Sequence, residues 1–429
     1  MLRKIRIAAA AFFFVLTTLL FLDFTGTLHA WFGWMAKIQF LPALLALNVG
    51  VVAFLVILTL LFGRVYCSVI CPLGVMQDIV SWASGKRRKH RNRFAYSPAL
   101  TWLRRGMLVV FVAAMLAGVG SLLAPYSAYG RIASNLLAPV YAWGNNLLAY
   151  IAGRMDSYAF YSVDVWMKSL STLLVAVVTF AVLFVLAWRS GRTYCNTICP
   201  VGTVLGFLAR YSLFKPRFDT SKCNGCKLCA RNCKASCIDP AAHKIDYSRC
   251  VACMDCLENC RQGAITYTLR RRKPDPAPAP QRPAADAAKT PSDASRRRFL
   301  GLAGIVAYSA LRAQEKKVDG GLAVIVDKKI PNRATPVVPP GAQSLRHFNA
   351  HCTGCQLCVS VCPNQVLRPS GKLMTLMQPE MSFERGYCRP ECTKCAEVCP
   401  TGAIRLTDFA GKSSIQIGHA VWIAENCEV

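Results

Sequence analysis

The stretch CNGCKLCARNC places Cys223, Cys226, Cys229 and Cys233 in the spacing C-x2-C-x2-C-x3-C, and CVACMDCLENC repeats it at Cys250, Cys253, Cys256 and Cys260. No other feature limits the possible folds so strongly. Three close thiolates cap one cubane iron–sulfur cluster, and the fourth reaches across to a second. The predicted pairing is Cys223, Cys226 and Cys229 with Cys260, and Cys250, Cys253 and Cys256 with Cys233. The closing proline usual after the fourth cysteine is absent, since Lys234 and Arg261 follow. A surplus thiol, Cys237, reads as bland rather than as a ligand.

A second block repeats the scheme. CTGCQLCVSVCP gives Cys352, Cys355, Cys358 and Cys362, and CRPECTKCAEVCP gives Cys388, Cys392, Cys395 and Cys399, with three residues in its first gap. The same logic pairs Cys352, Cys355 and Cys358 with Cys399, and Cys388, Cys392 and Cys395 with Cys362. Zinc sites normally use two C-x2-C pairs, so this pattern predicts four [4Fe-4S] clusters on sixteen cysteines, in two small α+β ferredoxin-like domains. Of the 22 cysteines only Cys427 stands outside a tight group, as a free thiol or the first ligand of a further motif. There is no C-x-x-C-H for covalent haem.

The rest of the chain is unlike a soluble domain. It is 54% hydrophobic and carries a net charge of +29. Apolar runs cover 7–22, 41–62, about 106–124 and about 169–188, each near the length that crosses a bilayer. Basic residues cluster before the first run, between the second and third, and after the fourth. They therefore follow membrane topology rather than nucleic-acid binding, and put both ends of a four-helix unit in the cytoplasm. The stretch 132–153 reads as either a surface helix or a re-entrant segment.

Two of these runs lead into GRVYCSVICPLG (63–74) and GRTYCNTICPVG (191–202), a repeat of G-R-x-Y-C-x3-C-P-x-G offset by 128 residues. Cysteines four apart share a helical face, and the proline marks a bend or a new helix start. Cys67, Cys71, Cys195 and Cys199 are candidate redox residues. They could hold an iron–sulfur centre or another soft metal, or support dithiol–disulfide chemistry. Arg64, Arg192, Tyr66 and Tyr194 read as membrane-interface anchors, and His29 as a surface residue.

After Arg271 comes a Pro/Ala-rich spacer, and then SRRRFLGLAG from Ser295. Arg296 and Arg297 followed by the short apolar run 299–311 read as a twin-arginine export signal or a short fifth span. The expected fold is an α-helical membrane bundle with two small ferredoxin-like domains. Its parts are a four-span membrane domain (1–216), a cytoplasmic ferredoxin domain (217–270), a linker (271–295), a signal or anchor (296–314) and a second ferredoxin domain (344–429), placed in the periplasm.

On these motifs, residues 1–270 resemble the NapH family of membrane ferredoxins, whose pattern is four spans, two C-x3-C-P motifs and a cytoplasmic two-cluster ferredoxin. The part from 296 onward is similar to NapG-type or MauM-type polyferredoxins, which are exported by a twin-arginine signal. The chain thus resembles a fusion of the two. Proteins similar to NosR and CcoG share the C-x3-C-P core. The resemblance implies a multi-pass protein of a bacterial inner membrane that takes electrons from the quinol pool or a cytoplasmic donor. It would pass them to a periplasmic reductase or cytochrome. The rival readings are a CcoG-like metal or oxidase assembly factor and a redox-sensing regulator.

Overall fold

A computed structural model describes residues 1–23, 25–87, 94–117, 122–165, 167–269, 335–372, 375–384, 386–415 and 417. The linker, the twin arginines, the short fifth run and Cys427 lie outside the described residues.

The N-terminal apolar run forms α1 (Leu2–Leu22), 21 residues and so roughly 30 Å long. It ends at Asp23, whose carboxylate accepts the backbone N–H groups of Thr25, Gly26 and Leu28 at 2.9–3.0 Å. Short helices follow, α2 (Thr27–Phe32), α3 (Trp34–Lys37) and α4 (Phe40–Leu45). The run expected over 41–62 is not one helix. Leu47 takes φ 53°, and Asn48 accepts the Val51 N–H at 3.2 Å, capping a new helix α5 (Val49–Phe62). The motif 63–74 then builds α6 (Val65–Val69) and α7 (Pro72–Arg87). The third run gives α8 (Thr101–Leu116), 16 residues. The fourth gives α11 (Leu170–Ser190), and its motif builds α12 (Thr193–Thr197) and α13 (Pro200–Ala209).

Only α1 and α11 among the described residues are long and apolar enough to cross a membrane by length and composition. Of the four runs expected to span, the first and fourth give α1 and α11, the second gives the 14-residue α5 because Leu47 and Asn48 interrupt it, and the third gives the 16-residue α8 among the described residues. Between them, α9 (Pro125–Ile132) is buried at every position. It passes through a π-helical turn, Ala133–Leu137, into α10 (Ala138–Arg154). No residue of α10 is buried within the chain.

The first cysteine-rich domain is closed by β1 (Phe214–Phe218) pairing antiparallel with β4 (Ile265–Leu269), Phe214 opposite Leu269. Inside it lie the hairpin β2 (Ile238–Asp239) and β3 (Lys244–Ile245) and the helices α14 (Leu228–Arg231) and α15 (Asp255–Asn259). The second domain contains α16 (Leu345–His351), α17 (Leu357–Ser360), the antiparallel pair β5 (Leu367–Pro369) and β6 (Pro379–Met381), α18 (Lys394–Glu397) and α19 (Phe409–Ser413). In three of the four cysteine motifs the residue after the second cysteine is left-handed, Lys227 at φ 59°, Met254 at 62° and Gln356 at 66°. The fourth, with the longer first gap, has Thr393 at −109°. The extra residue thus removes the left-handed turn that starts the other three helices.

The two domains meet opposite ends of the long helices. At one end Arg3 pairs with Asp255 at 2.8 Å, the Arg192 N–H donates to the Lys234 carbonyl at 2.9 Å just past α11, and the Tyr267 hydroxyl donates to the Phe62 carbonyl at 2.9 Å. At the other, Lys394 donates to the Thr25 carbonyl beyond α1 at 3.1 Å. Lys168, just before α11, donates to the Val359 carbonyl at 3.3 Å. One continuous buried cluster runs from Val251 through Cys195, Cys67, Tyr126 and Phe21 to Cys355.

Candidate redox site

The repeated motif works as a local device. Gly63 and Gly191 take φ 75° and 68°, the left-handed stop that ends α5 and α11. A side chain at Gly191 would also place its Cβ 2.6 Å from the Lys234 carbonyl. Cys199 then N-caps α13, its sulfur accepting the Gly202 N–H at 3.4 Å, with Pro200 in the first turn. Cys71 likewise precedes Pro72 at the start of α7 and takes a hydrogen bond from the Gly74 N–H. The two halves bring Cys67, Cys71, Cys195 and Cys199 into one buried core, each 4–6% exposed.

The arginines are swapped between the halves. Arg64 donates to the Asn196 side chain at 2.9 Å and to the Cys195 carbonyl at 3.1 Å. Arg192 donates to the Cys67 carbonyl at 2.6 Å and to Asp78 at 2.9 Å. Each guanidinium lies over the last glycine of the opposite motif. A Cβ on Gly202 would stand 2.8 Å from Arg64 Nη2, and one on Gly74 would stand 2.7 Å from Arg192 Nη1. The expectation that Arg64, Arg192, Tyr66 and Tyr194 anchor a membrane interface is therefore wrong. All four are buried, because the arginines bind backbone carbonyls across the seam. Tyr66 donates to Gln39 at 2.9 Å and Tyr194 to the Leu123 carbonyl at 3.3 Å. His29 is not a surface residue either. Its ring is buried, with Nδ1 3.2 Å from the Asp23 carboxylate that caps α1.

Asp78 is the charge hub, missed in the sequence. It meets Arg6 at 2.9 Å, Arg192 at 2.8 Å and Lys234 at 3.7 Å. Those partners come from α1, the second motif and the first cysteine-rich domain. A signal existed, since no other acidic residue occurs between Asp23 and Asp156.

The cysteine sets of the ferredoxin-like domains stand around cavities. Cys223, Cys226, Cys229 and Cys260 line one of about 390 Å³. Cys233, Cys250, Cys253 and Cys256 line one of about 420 Å³, together with Cys237. Cys352, Cys355, Cys358 and Cys399 line one of about 320 Å³. Cys362, Cys388 and Cys392 act electrostatically on Cys395. Cys237 is less bland than expected, its sulfur lying 3.5 Å from that of Cys233. Among the described residues no three His, Cys, Asp or Glu side chains converge on a single metal ion; the sets face shared cavities. Burial pushes many of the thiols up, Cys229 to about 11 and Cys395 to about 12, whereas the hydrogen bond with Cys237 lowers Cys233 and Cys250. Loading such a set with metal must therefore displace protons.

The first domain bonds the motifs of the four-cysteine core, and the second packs on α9. On one side Arg64 donates to the Ser248 carbonyl at 3.2 Å and Asn196 to the Ala235 carbonyl at 3.1 Å, both beside the 420 Å³ cavity. On the other, α9 approaches so closely that a Cβ on Gly130 would stand 2.4 Å from the Cys355 carbonyl and 2.9 Å from the Phe21 ring. Asn135 donates to Gln356 at 2.9 Å. Gly130→Val should accordingly force this contact apart at a cost of about 1–3 kcal/mol. Hydrogen exchange across 345–360 should rise; unchanged protection there would show that the close approach is dispensable.

Known sequence families match both parts. The family described as "4Fe-4S binding domain" matches residues 44–90 and 172–221, which enclose the two C-x3-C-P motifs. The family described as "4Fe-4S dicluster domain" matches 351–403. The chain is similar to NapH-like ferredoxin-type proteins. It is 29% identical to the ferredoxin-type protein NapH of Escherichia coli, over 45% of this chain and 55% of that one. It is 28% identical to the methylamine utilization ferredoxin-type protein MauN of Paracoccus denitrificans, over 40% of this chain and 48% of that one. An uncharacterized protein of Methanocaldococcus jannaschii is 25% identical over 50% of this chain and 68% of its own length. The chain thus spans about half the length of NapH and MauN. No solved structure matches it. These likenesses and the 4Fe-4S domains support an iron–sulfur electron-transfer role.

Proposed function

We propose that this protein is a multi-pass membrane electron carrier of a bacterial inner membrane. It relays electrons from the quinol pool, or from a cytoplasmic donor, to a periplasmic reductase or cytochrome. One observation carries the reading: the two cysteine-rich domains contact opposite ends of α1 and α11, the first also bonding the motifs of the buried four-cysteine core and the second packing on α9. If those helices cross the bilayer, the domains lie on opposite faces. The basic residues Arg3, Lys4 and Arg6 and the basic segment 86–93 favour the cytoplasm for the first domain.

The sixteen cysteines fit four [4Fe-4S] clusters, which supply one-electron transfer when bound. Cys223, Cys226, Cys229 and Cys260 would hold the first, with Cys226 exposed where a soluble donor can approach. Cys250, Cys253, Cys256 and Cys233 would hold the second, against the membrane core. Cys352, Cys355, Cys358 and Cys399 would hold the third, against α9. Cys388, Cys392, Cys395 and Cys362 would hold the fourth. Arg64, Asn196 and Gly130 keep the facing backbones in contact across the two junctions, and the apolar packing around them excludes water.

The test is anaerobic reduction of the purified full chain by a menaquinol analogue, read by EPR, with iron and sulfide analysis. At least roughly sixteen iron and sixteen sulfide per chain are expected from four cubanes, with reduced-cluster signals appearing on quinol addition. Stoichiometric zinc with little sulfide would end the cluster assignment. Loaded clusters that only dithionite reduces would remove quinol as the donor.

A further inference from the structure

The four-cysteine core has an electrostatic problem of its own. Arg64 is fully buried. Its hydrogen-bond partners are the Asn196 side chain, the carbonyls of Cys195 and Ser248, and the Cys67 sulfur at 3.8 Å. None is a carboxylate, and its Nε is buried without a partner. Arg192 does have Asp78, but Asp78 also serves Arg6 and Lys234. A buried cation with no anion beside it is strongly destabilising. Several further donors around the core reach sulfur. Gln77 reaches Cys195 at 3.3 Å, Arg192 reaches the same sulfur at 3.9 Å, and the Gly202 N–H reaches Cys199. The N-termini of α7 and α13 add their positive ends to the same place. The carboxylate-free Arg64, the donors at sulfur and the two helix N-termini therefore favour negative sulfur. Bare thiolates would be costly there, whereas metal-bound thiolates meet the demand.

We propose that Cys67, Cys71, Cys195 and Cys199 jointly hold a fifth iron–sulfur centre at the seam of the duplicated halves, with the swapped pair Arg64 and Arg192 as its counter-charges. Binding replaces four S–H bonds by four S–Fe bonds and releases four protons. Four thiolates around an oxidised [4Fe-4S] core of charge two plus leave two minus, which the two guanidiniums balance. A single tetrahedral ion fits less well, since no three of these side chains converge on one point among the described residues. This inference rests on the electron-transfer reading and adds to it a centre between the two domains. Arg64 and Arg192 are positioning residues; neither is a ligand.

The experiment compares iron and sulfide per chain in the wild type and in the double variant Cys67→Ser, Cys195→Ser, both purified whole and anaerobically. The wild type should hold roughly twenty iron and twenty sulfide, and the variant should lose about four of each while keeping the other sixteen. Wild-type content of sixteen, unchanged in the variant, would overturn the fifth centre; the other clusters would still be reduced, so the relay would stand. Zinc lost in step with the cysteines would also overturn it. Should the double variant misfold, the wild-type count still decides. In addition, Arg64→Gln should keep the iron but move the midpoint potential of one centre downward, because removing a nearby cation disfavours the more negative reduced state. Arg64→Lys should move it less. Equal potentials in all three proteins would refute the role given to Arg64.

Discussion

Asp78→Ala is expected to destabilise the protein by about 3–5 kcal/mol, the cost of removing one partner from a buried ion network. Arg6 of α1 and Arg192 of the second motif lose their anion at once, and Lys234 of the first cysteine-rich domain is left with Asp255 alone at 3.0 Å. Burial by itself would raise the Asp78 carboxyl, but the charges of Arg192 and Lys234 outweigh it and hold the group well below the usual carboxylate range. A depressed folded pKa stabilises above the unfolded value and is lost as pH falls through the folded one. The hub is therefore intact at neutral pH and weakens only as pH drops below about 4. The check is a denaturant midpoint in detergent at pH 7, against Asp219→Ala, which removes the exposed pair with Lys222. Equal midpoints for the two variants would remove Asp78 from its central place.

What the sequence made legible was the chemistry that spacing alone dictates. The crossed pairing of cysteines is the expectation that C-x2-C-x2-C-x3-C carries, and three of the four sets line a common cavity, Cys260 with the 223–229 group, Cys233 with the 250–256 group and Cys399 with the 352–358 group. The motif prolines also read directly as helix starts, whereas the positive-φ stops at Gly63 and Gly191 emerged only in the structure. Spacing could not say which half an arginine serves. Arg64 and Arg192 belong to their own motifs in sequence but bind the opposite ones in space, a property of the duplicated fold. Hydropathy failed at Leu47 and Asn48, where a left-handed residue and a cap break an unbroken apolar run. His29 was misplaced for a similar reason: its burial depends on the Asp23 cap, which no periodicity encodes.

Replacing Arg296 and Arg297 by lysine should strand the second ferredoxin domain on the cytoplasmic face. The first domain ends at Leu269 beside the C-terminal end of α5, where Tyr267 bonds Phe62. The second contacts the far ends of α1 and α11, where Lys394 bonds the Thr25 carbonyl and Lys168 the Val359 carbonyl. If α1 and α11 cross the bilayer, the chain between 269 and 335 must bring its second domain to the other face. A domain that acquires metal before crossing has to cross folded, since unfolding would release it. The sequence SRRRFLGLAG lies in that interval, and its short apolar run suits a signal better than a full span. Lysine keeps the charge, so an effect of the substitution reports recognition of the arginine pair rather than bulk electrostatics. A reporter that fluoresces only after folded export, fused after Val429, should light the periplasm in the wild type. In the double-lysine variant that signal should fall to near the background of an unexported reporter, while iron content stays constant. Protease added to spheroplasts should likewise remove 344–429 from the wild type alone. A second domain that survives protease in the wild type would place all the clusters on one face, and the relay across the membrane would be wrong.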